Sequence, residues 1–365
     1  MDRYDKQFIA MKKVVIDIYS AKNRNVGVGE YSFRLGESLA KRAETFSKED
    51  VRLQFLVPKE LKGCFGDGVD YIAVNKLNRY FYRYLYIGCS LFHAVHQFAF
   101  VRFMLGAKRS LLTLHDVNFM YEKQGAKLLK YKKKIGRRIN FYDEIVYISK
   151  FVEQDVMRVY PENNVPSNVI YNGVADTSQN YKCDEVLPFD DGFLLHLSSL
   201  QPKKNPELLI RMMQYLPSER LVIVGNWSSA YGEYLRGVIK ELDLKNVVAM
   251  QHVSDSVKAT LYKKCKAFLF PSLCEGFGLP PIEAMHFGKP VFLSTLTSLP
   301  EVGGELAYYW AELEPKAMAE SFEKGIAHWQ SAGSVPDVKA WASKFSWDAC
   351  ADAYMQLYLR LLSKK

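Results

Sequence analysis

The 365-residue sequence is poor in cysteine, with only Cys64, Cys89, Cys183, Cys265, Cys274 and Cys350, none paired with another at short spacing. That excludes a disulfide-stapled scaffold and a structural zinc site, and fits reduced thiols. Long apolar runs are missing too. No stretch of about 18 uncharged apolar residues occurs, and the first ten residues, MDRYDKQFIA, carry acids instead of an apolar core. Neither a transmembrane helix nor a secretory leader is therefore expected, and the expected location is cytoplasmic. Acidic residues fall short of basic ones, 40 against 49, leaving a formal charge of +9 and a pI near 9.0. The surplus suits a phosphorylated substrate, an anionic membrane surface or nucleic acid. No recognised nucleic-acid module organises these cations, so no nucleic-acid partner is expected.

Length and apolar content are ample. At 48% hydrophobic residues the chain can fill two cores, since one domain ordinarily takes roughly 100–200 residues. The first half alternates short apolar runs with helical pattern: VVIDIY (14–19), a helix from about Glu30 to Arg42, LQFLV (53–57), LLTLH (111–115), EIVYIS (144–149) and NVIYN (168–172). A polar, aperiodic stretch over 176–191 reads as a linker. The alternation then restarts with FLLHLS (193–198), a helix that Asn205 can cap and Pro206 can begin, LVIVG (221–225), NVVAM (246–250), AFLFP (267–271) and PVFLS (290–294). The expected fold class is α/β, with two Rossmann-like, doubly wound domains at 1–175 and 192–345 facing a central cleft. The aromatic segment at about 346–365 has helical apolar spacing and is expected to pack back on the first domain.

The richest local pattern is PSLCEGFGLPPIEAMHFGKPV (271–291). A strand ends at Pro271, Gly276 and Gly278 allow close backbone approach, and Pro280 and Pro281 open a helix whose N-terminus favours an anion such as a diphosphate. Glu275 in the loop and Glu283 in the first helical turn offer carboxylate acceptors for vicinal hydroxyls. Taken singly, Glu283 equally fits a residue that complements the helix dipole, and Glu275 a solvated loop residue. Gly27 and Gly29 follow the first strand and suit contact with phosphate or acceptor, or simply a strand-to-helix turn. His115 and Asp116 end a strand. His93 and His96 in FHAVHQ lack a third ligand at metal spacing and read as structure or cleft wall, and Asp190 and Asp191 form no Asp-x-Asp loop.

The whole string, with its Glu-x7-Glu spacing inside Glu-Gly-Phe-Gly-Leu-Pro, resembles the signature of the retaining glycosyltransferases of family 4 (glycosyl transferases group 1), which have the GT-B fold. The resemblance covers nearly the whole chain through GVGEYSFRL (27–35), TLHDVNFM (113–120), YISKFVEQDV (147–156), VIYNGV (169–174), LQPKKNPELLI (200–210) and SLPEVGG (298–304). It implies that Glu275 contacts the donor sugar, that the amides of Gly276, Phe277, Gly278 and Leu279 contact sugar and phosphate, and that Glu283 binds the ribose. It implies further that Lys203 and Lys204 neutralise the diphosphate and that His115 lies close to the donor sugar. Lys203 stands where Arg is frequent in the family, and Ser198 where Gly often stands.

The resemblance is nearest to bacterial mannosyl- and rhamnosyltransferases of surface polysaccharide pathways. It implies a nucleotide-sugar donor such as GDP-mannose, a saccharide or lipid-linked acceptor, and no metal or cofactor. The aromatic and basic segments NRYFYRYLYIG (78–88) and KYKKKIGRR (130–138) would suit such an acceptor at an anionic membrane, or a solvated helix face. A GT-B sugar-nucleotide epimerase and a non-catalytic basic binding module are the competing readings.

Overall fold

The computed structural model describes residues 11–24, 26–74, 89–99 and 106–363, so segment 78–88 lies outside the described residues. The chain forms two compact units. The first comprises Met1–Gly173 and Trp347–Lys365, and the second Val174–Ser346.

The first unit holds a parallel sheet of β1 (Lys12–Asp17), β2 (Val51–Pro58), β3 (Asp70–Val74), β4 (Leu91–Ala94), β5 (Arg109–Leu114), β6 (Glu144–Tyr147) and β7 (Ser167–Val169), in the order β3-β2-β1-β4-β5-β6-β7. β4 and β6 are buried throughout, and β1 and β5 over their last four residues, as expected for a parallel sheet covered on both faces. Helix α1 (Gly27–Ala40) begins three residues before the position its apolar spacing suggests. The reason is Gly29: a Cβ there would lie 1.8 Å from the Asn23 carbonyl oxygen, so only glycine lets the first turn close against that loop.

The C-terminal helix (Trp347–Ser363) belongs to this unit. It inserts Cys350, Tyr354, Leu357, Tyr358 and Leu361 among Val14, Ile16, Leu35 and Leu91. Hydroxyls on this buried face need partners, and they find them in one chain of hydrogen bonds. Tyr358 meets His93 Nδ1 at 2.6 Å, His93 Nε2 meets Thr113 at 2.8 Å, Thr113 meets Tyr354 at 2.7 Å, and Tyr354 meets Tyr31 at 2.8 Å. At the helix rim, Arg42 pairs with Asp352 at 2.5 Å and Arg360 pairs with Glu144.

The second unit repeats the plan with β8 (Leu194–Leu197), β9 (Leu221–Val224), β10 (Val247–Met250), β11 (Ala267–Phe270), β12 (Val291–Ser294) and β13 (Tyr308–Trp310), all parallel, in the order β10-β9-β8-β11-β12-β13. Residues 176–191 lie within this unit: Cys183 is buried, and Glu185 accepts from Ser256 at 2.7 Å. The chain passes between units at Gly173–Val174 and Ser346–Trp347. Gly173 has no room for a side chain, because a Cβ would sit 2.4 Å from the Trp347 ring.

Replacing Tyr354 with Phe removes the hydroxyl shared by Thr113 and Tyr31 and leaves both short of a buried partner. We expect a loss of about 1–3 kcal/mol in urea unfolding, with the packing of the ring retained.

Candidate functional site

In a doubly wound sheet the loops at the carboxyl ends of the strands part where the strand order reverses, and a ligand fits between them. In the second unit that point lies between β8 and β11. The loop after β8 carries Lys203 and Lys204, and the loop after β11 carries Glu275. Lys204 Nζ meets Glu275 Oε1 at 2.5 Å, with side chains 16% and 11% exposed, and also lies 5.7 Å from the Phe270 ring centre. Two opposite charges thus sit together at the reversal, largely shielded from water.

The two loops are also tied to each other. Leu273 N–H and Ser272 Oγ both donate to the Lys203 carbonyl, at 2.7 and 3.1 Å. Ser198, at the end of β8, accepts from the Leu200 N–H and bonds His196 Nε2, while His196 Nδ1 bonds the Leu269 carbonyl of β11. This supports Leu200 in a left-handed conformation, with φ at 47°. Asn205 makes no side-chain cap on the helix Pro206–Met212. It contributes instead a left-handed turn, with φ at 55°.

Beyond Glu275 the loop leans on two residues that composition did not single out. Thr297 Oγ1 accepts the Glu275 N–H at 3.1 Å, and Ser298 Oγ donates to the carbonyls of Phe277 and Glu275. Gly278 has φ at 110°, and a Cβ there would meet Leu299 at 2.9 Å, so both backbone and space require glycine.

Glu283 departs from expectation. It lies in the second turn of the helix Leu279–His286, not the first, so the helix dipole does not account for it. Its carboxylate is fixed by the helix Asp255–Lys264: Lys258 Nζ meets Oε1 at 2.7 Å and the buried Tyr262 hydroxyl donates to Oε2 at 2.8 Å. The structure therefore brings Lys204 to Glu275, and gives Glu283 a separate pair of partners that sequence patterning missed.

In the first unit the strand order reverses between β1 and β4. His115 follows β5, is 7% exposed, and donates from Nε2 to the Val95 carbonyl at 2.9 Å, while its N–H is accepted by Gln97 Oε1 at 3.0 Å. Tyr31 packs edge-on against its ring, with centres 4.5 Å apart. Gln97 is held in turn by Arg138, which donates to its carbonyl. Of the two glycines that open α1, Gly29 is buried against the Asn23 loop and Gly27 faces open space. His93 is wholly committed to Tyr358 and Thr113 in the core. Asp190 and Asp191 lie at 3.8 Å from Arg220 and 3.5 Å from Lys264.

Burial pushes His93 and His96 down to about 3 and His115 down to about 4. These side chains are neutral in the fold, whereas the unfolded chain protonates them near 6.5. Below that pH the unfolded state takes up protons that the folded state refuses, so stability falls as the pH drops from about 6.5 toward 4. The expected slope is on the order of 1.4 kcal/mol per pH unit per histidine, read as a lower urea midpoint at pH 5 than at pH 7. A flat profile would mean that the imidazoles charge freely in the native state.

Comparison with known proteins agrees with this architecture. The glycosyl transferases group 1 family matches residues 178–332. O-antigen chain mannosyltransferase B of Escherichia coli is 26% identical over 271 residues, 69% of this chain and 70% of that protein. The serotype-specific mannosyltransferase WbdA of the same species is 32% identical over 200 residues, 52% of this chain but only 24% of its own length. In fold, the chain is similar to Anabaena Alr3699/HepE, solved with UDP and glucose, at a TM-score of 0.71 and 17% identity over 95% of this chain and 99% of that one. A glycosyltransferase from Rickettsia africae aligns with a TM-score of 0.72 at 15% identity, over 97% and 99% of the two chains.

Two Rossmann-like parallel-sheet units give the chain the GT-B fold. The match to the glycosyl transferases group 1 family falls within the second unit, over residues 178–332.

Proposed function

We propose that the chain moves mannose from GDP-mannose, with retention of anomeric configuration, to a hydroxyl of a saccharide or lipid-linked saccharide in surface polysaccharide synthesis. The observation that carries this reading is the Lys204–Glu275 pair at the β8/β11 reversal. A nucleotide sugar presents an anion and a polyol side by side, and the pair offers a cation beside a hydroxyl acceptor. The relatives named mannosyltransferases support the choice of sugar.

In this scheme Lys204, with Lys203, neutralises the charge that grows on the diphosphate as the glycosidic bond breaks. Glu275 orients the sugar through its hydroxyls. The amides from Gly276 to Leu279, at the start of a helix, face sugar and phosphate. Glu283, already held by Lys258 and Tyr262, takes the ribose hydroxyls. Gly27 leaves room for phosphate or acceptor to approach α1, and Gly29 keeps that end of the helix closed on its loop. His115, neutral and tethered through Nε2, offers Nδ1 as an acceptor toward the donor sugar. No carboxylate is assigned as a nucleophile. The departing diphosphate oxygen takes the acceptor proton as the new bond forms on the same face, and neither metal ion nor cofactor enters the scheme.

A membrane-borne acceptor fits the outer face of helix α2 (Gly125–Ile139), where Lys127, Lys130, Lys133 and Arg137 are exposed beside Leu129, which is 67% exposed. No helix among the described residues is long and apolar enough to cross a membrane.

A thermal-shift screen of nucleotide sugars followed by hydrolysis assays is expected to select GDP-mannose, and NMR of the product to show the donor's anomeric configuration. Glu275→Ala and Lys204→Ala should each lower turnover by about two orders of magnitude or more with melting temperature retained. Wild-type rates in both variants would remove the site assignment, and epimerised donor in the absence of acceptor would make the protein an epimerase.

A further inference from the structure

The first sheet has its own pair across the strand reversal, and it carries no charge. Ser20, three residues past the end of β1, lies 2.7 Å through Oγ from Nε2 of His96, two residues past the end of β4. The direction of this bond follows from the other side of the ring. The Phe98 N–H donates to His96 Nδ1 at 3.0 Å, so Nδ1 carries no proton. A neutral imidazole then bears its proton on Nε2 and donates it to Ser20. His96 is neutral, because burial, His115 and Arg138 all disfavour the charged ring. Ser20, whose oxygen is an acceptor in that bond, keeps its own O–H to donate elsewhere. It is half-buried, and among the described residues no acceptor takes that proton.

We infer that Ser20, oriented by His96, is a hydroxyl-binding residue for the saccharide acceptor, at the β1/β4 reversal of the first unit. The inference rests on the glycosyl-transfer reading above and assigns a second half-site to it. The two reversals then divide the chemistry. The second unit places a cation beside a carboxylate, suited to diphosphate and sugar. The first places a neutral donor beside a neutral imidazole, suited to an uncharged polyol. Donation by Ser20 into the lone pair of the attacking oxygen would weaken that nucleophile. Ser20 therefore binds a hydroxyl next to the attacking one, and its contribution is to position the acceptor. His96 acts through Ser20 as a positioning residue.

The test uses the full chain with donor and a mannoside acceptor. Ser20→Ala is expected to raise the acceptor KM about tenfold, with kcat at saturating acceptor within about twofold, and to leave donor KM and donor hydrolysis in water unchanged. Ser20→Thr, which keeps the hydroxyl, should restore the acceptor KM. An unchanged acceptor KM in Ser20→Ala, or a rise in donor KM instead, overturns the assignment. So does a fall in melting temperature without any KM effect. If the wild-type chain transfers no sugar, the functional reading fails on its own. Saturation-transfer NMR with methyl α-mannoside then decides the site separately: a signal lost in Ser20→Ala supports it, and a signal equal in wild type and variant overturns it.

Discussion

Parallel strands end on the same edge of a sheet, and where the order of strands reverses, the loops leaving two neighbouring strands must turn away from each other. This single constraint places the loops that carry Ser20 and His96 in the first unit and Lys204 and Glu275 in the second. Each unit has one reversal, at β1/β4 and at β8/β11. Each is bridged by a short contact between side chains of the diverging loops, Ser20 to His96 in one and Lys204 to Glu275 in the other. The folds need no charged residue there. What the bridges share is that each would have to exchange one polar partner for another when a ligand enters, a near-balanced change compared with desolvating a lone group.

The surroundings decide the character of each bridge. In the first unit burial keeps three histidines neutral, and fixed neighbours set the tautomer of two of them, Val95 for His115 and Phe98 for His96, while His93 bonds the Thr113 and Tyr358 hydroxyls, which can donate or accept. In the second unit Lys204 and Glu275 compensate each other's charge, and the loop that carries Glu275 is tied down by Thr297, Ser298 and the Lys203 carbonyl. A carboxylate held from behind by main-chain bonds keeps its geometry when its cation moves.

Much of this could be read from the chain. The apolar runs of β1, β2, β5, β6, β8, β9, β11 and β12 are long and unmixed enough to mark two parallel sheets, and the Glu-x7-Glu string marked the richest loop. What escaped was short or depended on tertiary partners. β4 is four residues with His93 at its centre, and only the Thr113 and Tyr358 hydroxyls make that histidine acceptable in a core strand. The start of α1 was misplaced because glycine usually marks a turn, whereas Gly29 is helical by virtue of the space it leaves for Asn23. Spacing put Glu283 in the first helical turn, as an acceptor for hydroxyls or a partner of the helix dipole, whereas it lies in the second. Its real partners, Lys258 and Tyr262, stand 25 and 21 residues upstream on another helix, beyond the reach of any local pattern.

The helix Trp347–Ser363 fills the first unit's core, yet it is made after the whole of the second unit. Until Tyr354 and Tyr358 leave the ribosome, His93 Nδ1 lacks the Tyr358 hydroxyl, Thr113 lacks that of Tyr354, and the apolar face around Leu35 and Leu91 stays uncovered. The second unit, by contrast, is contiguous from Val174 to Ser346 and can close as soon as it emerges. During synthesis the order of folding is therefore inverted relative to the order of residues: the half that begins first is completed last.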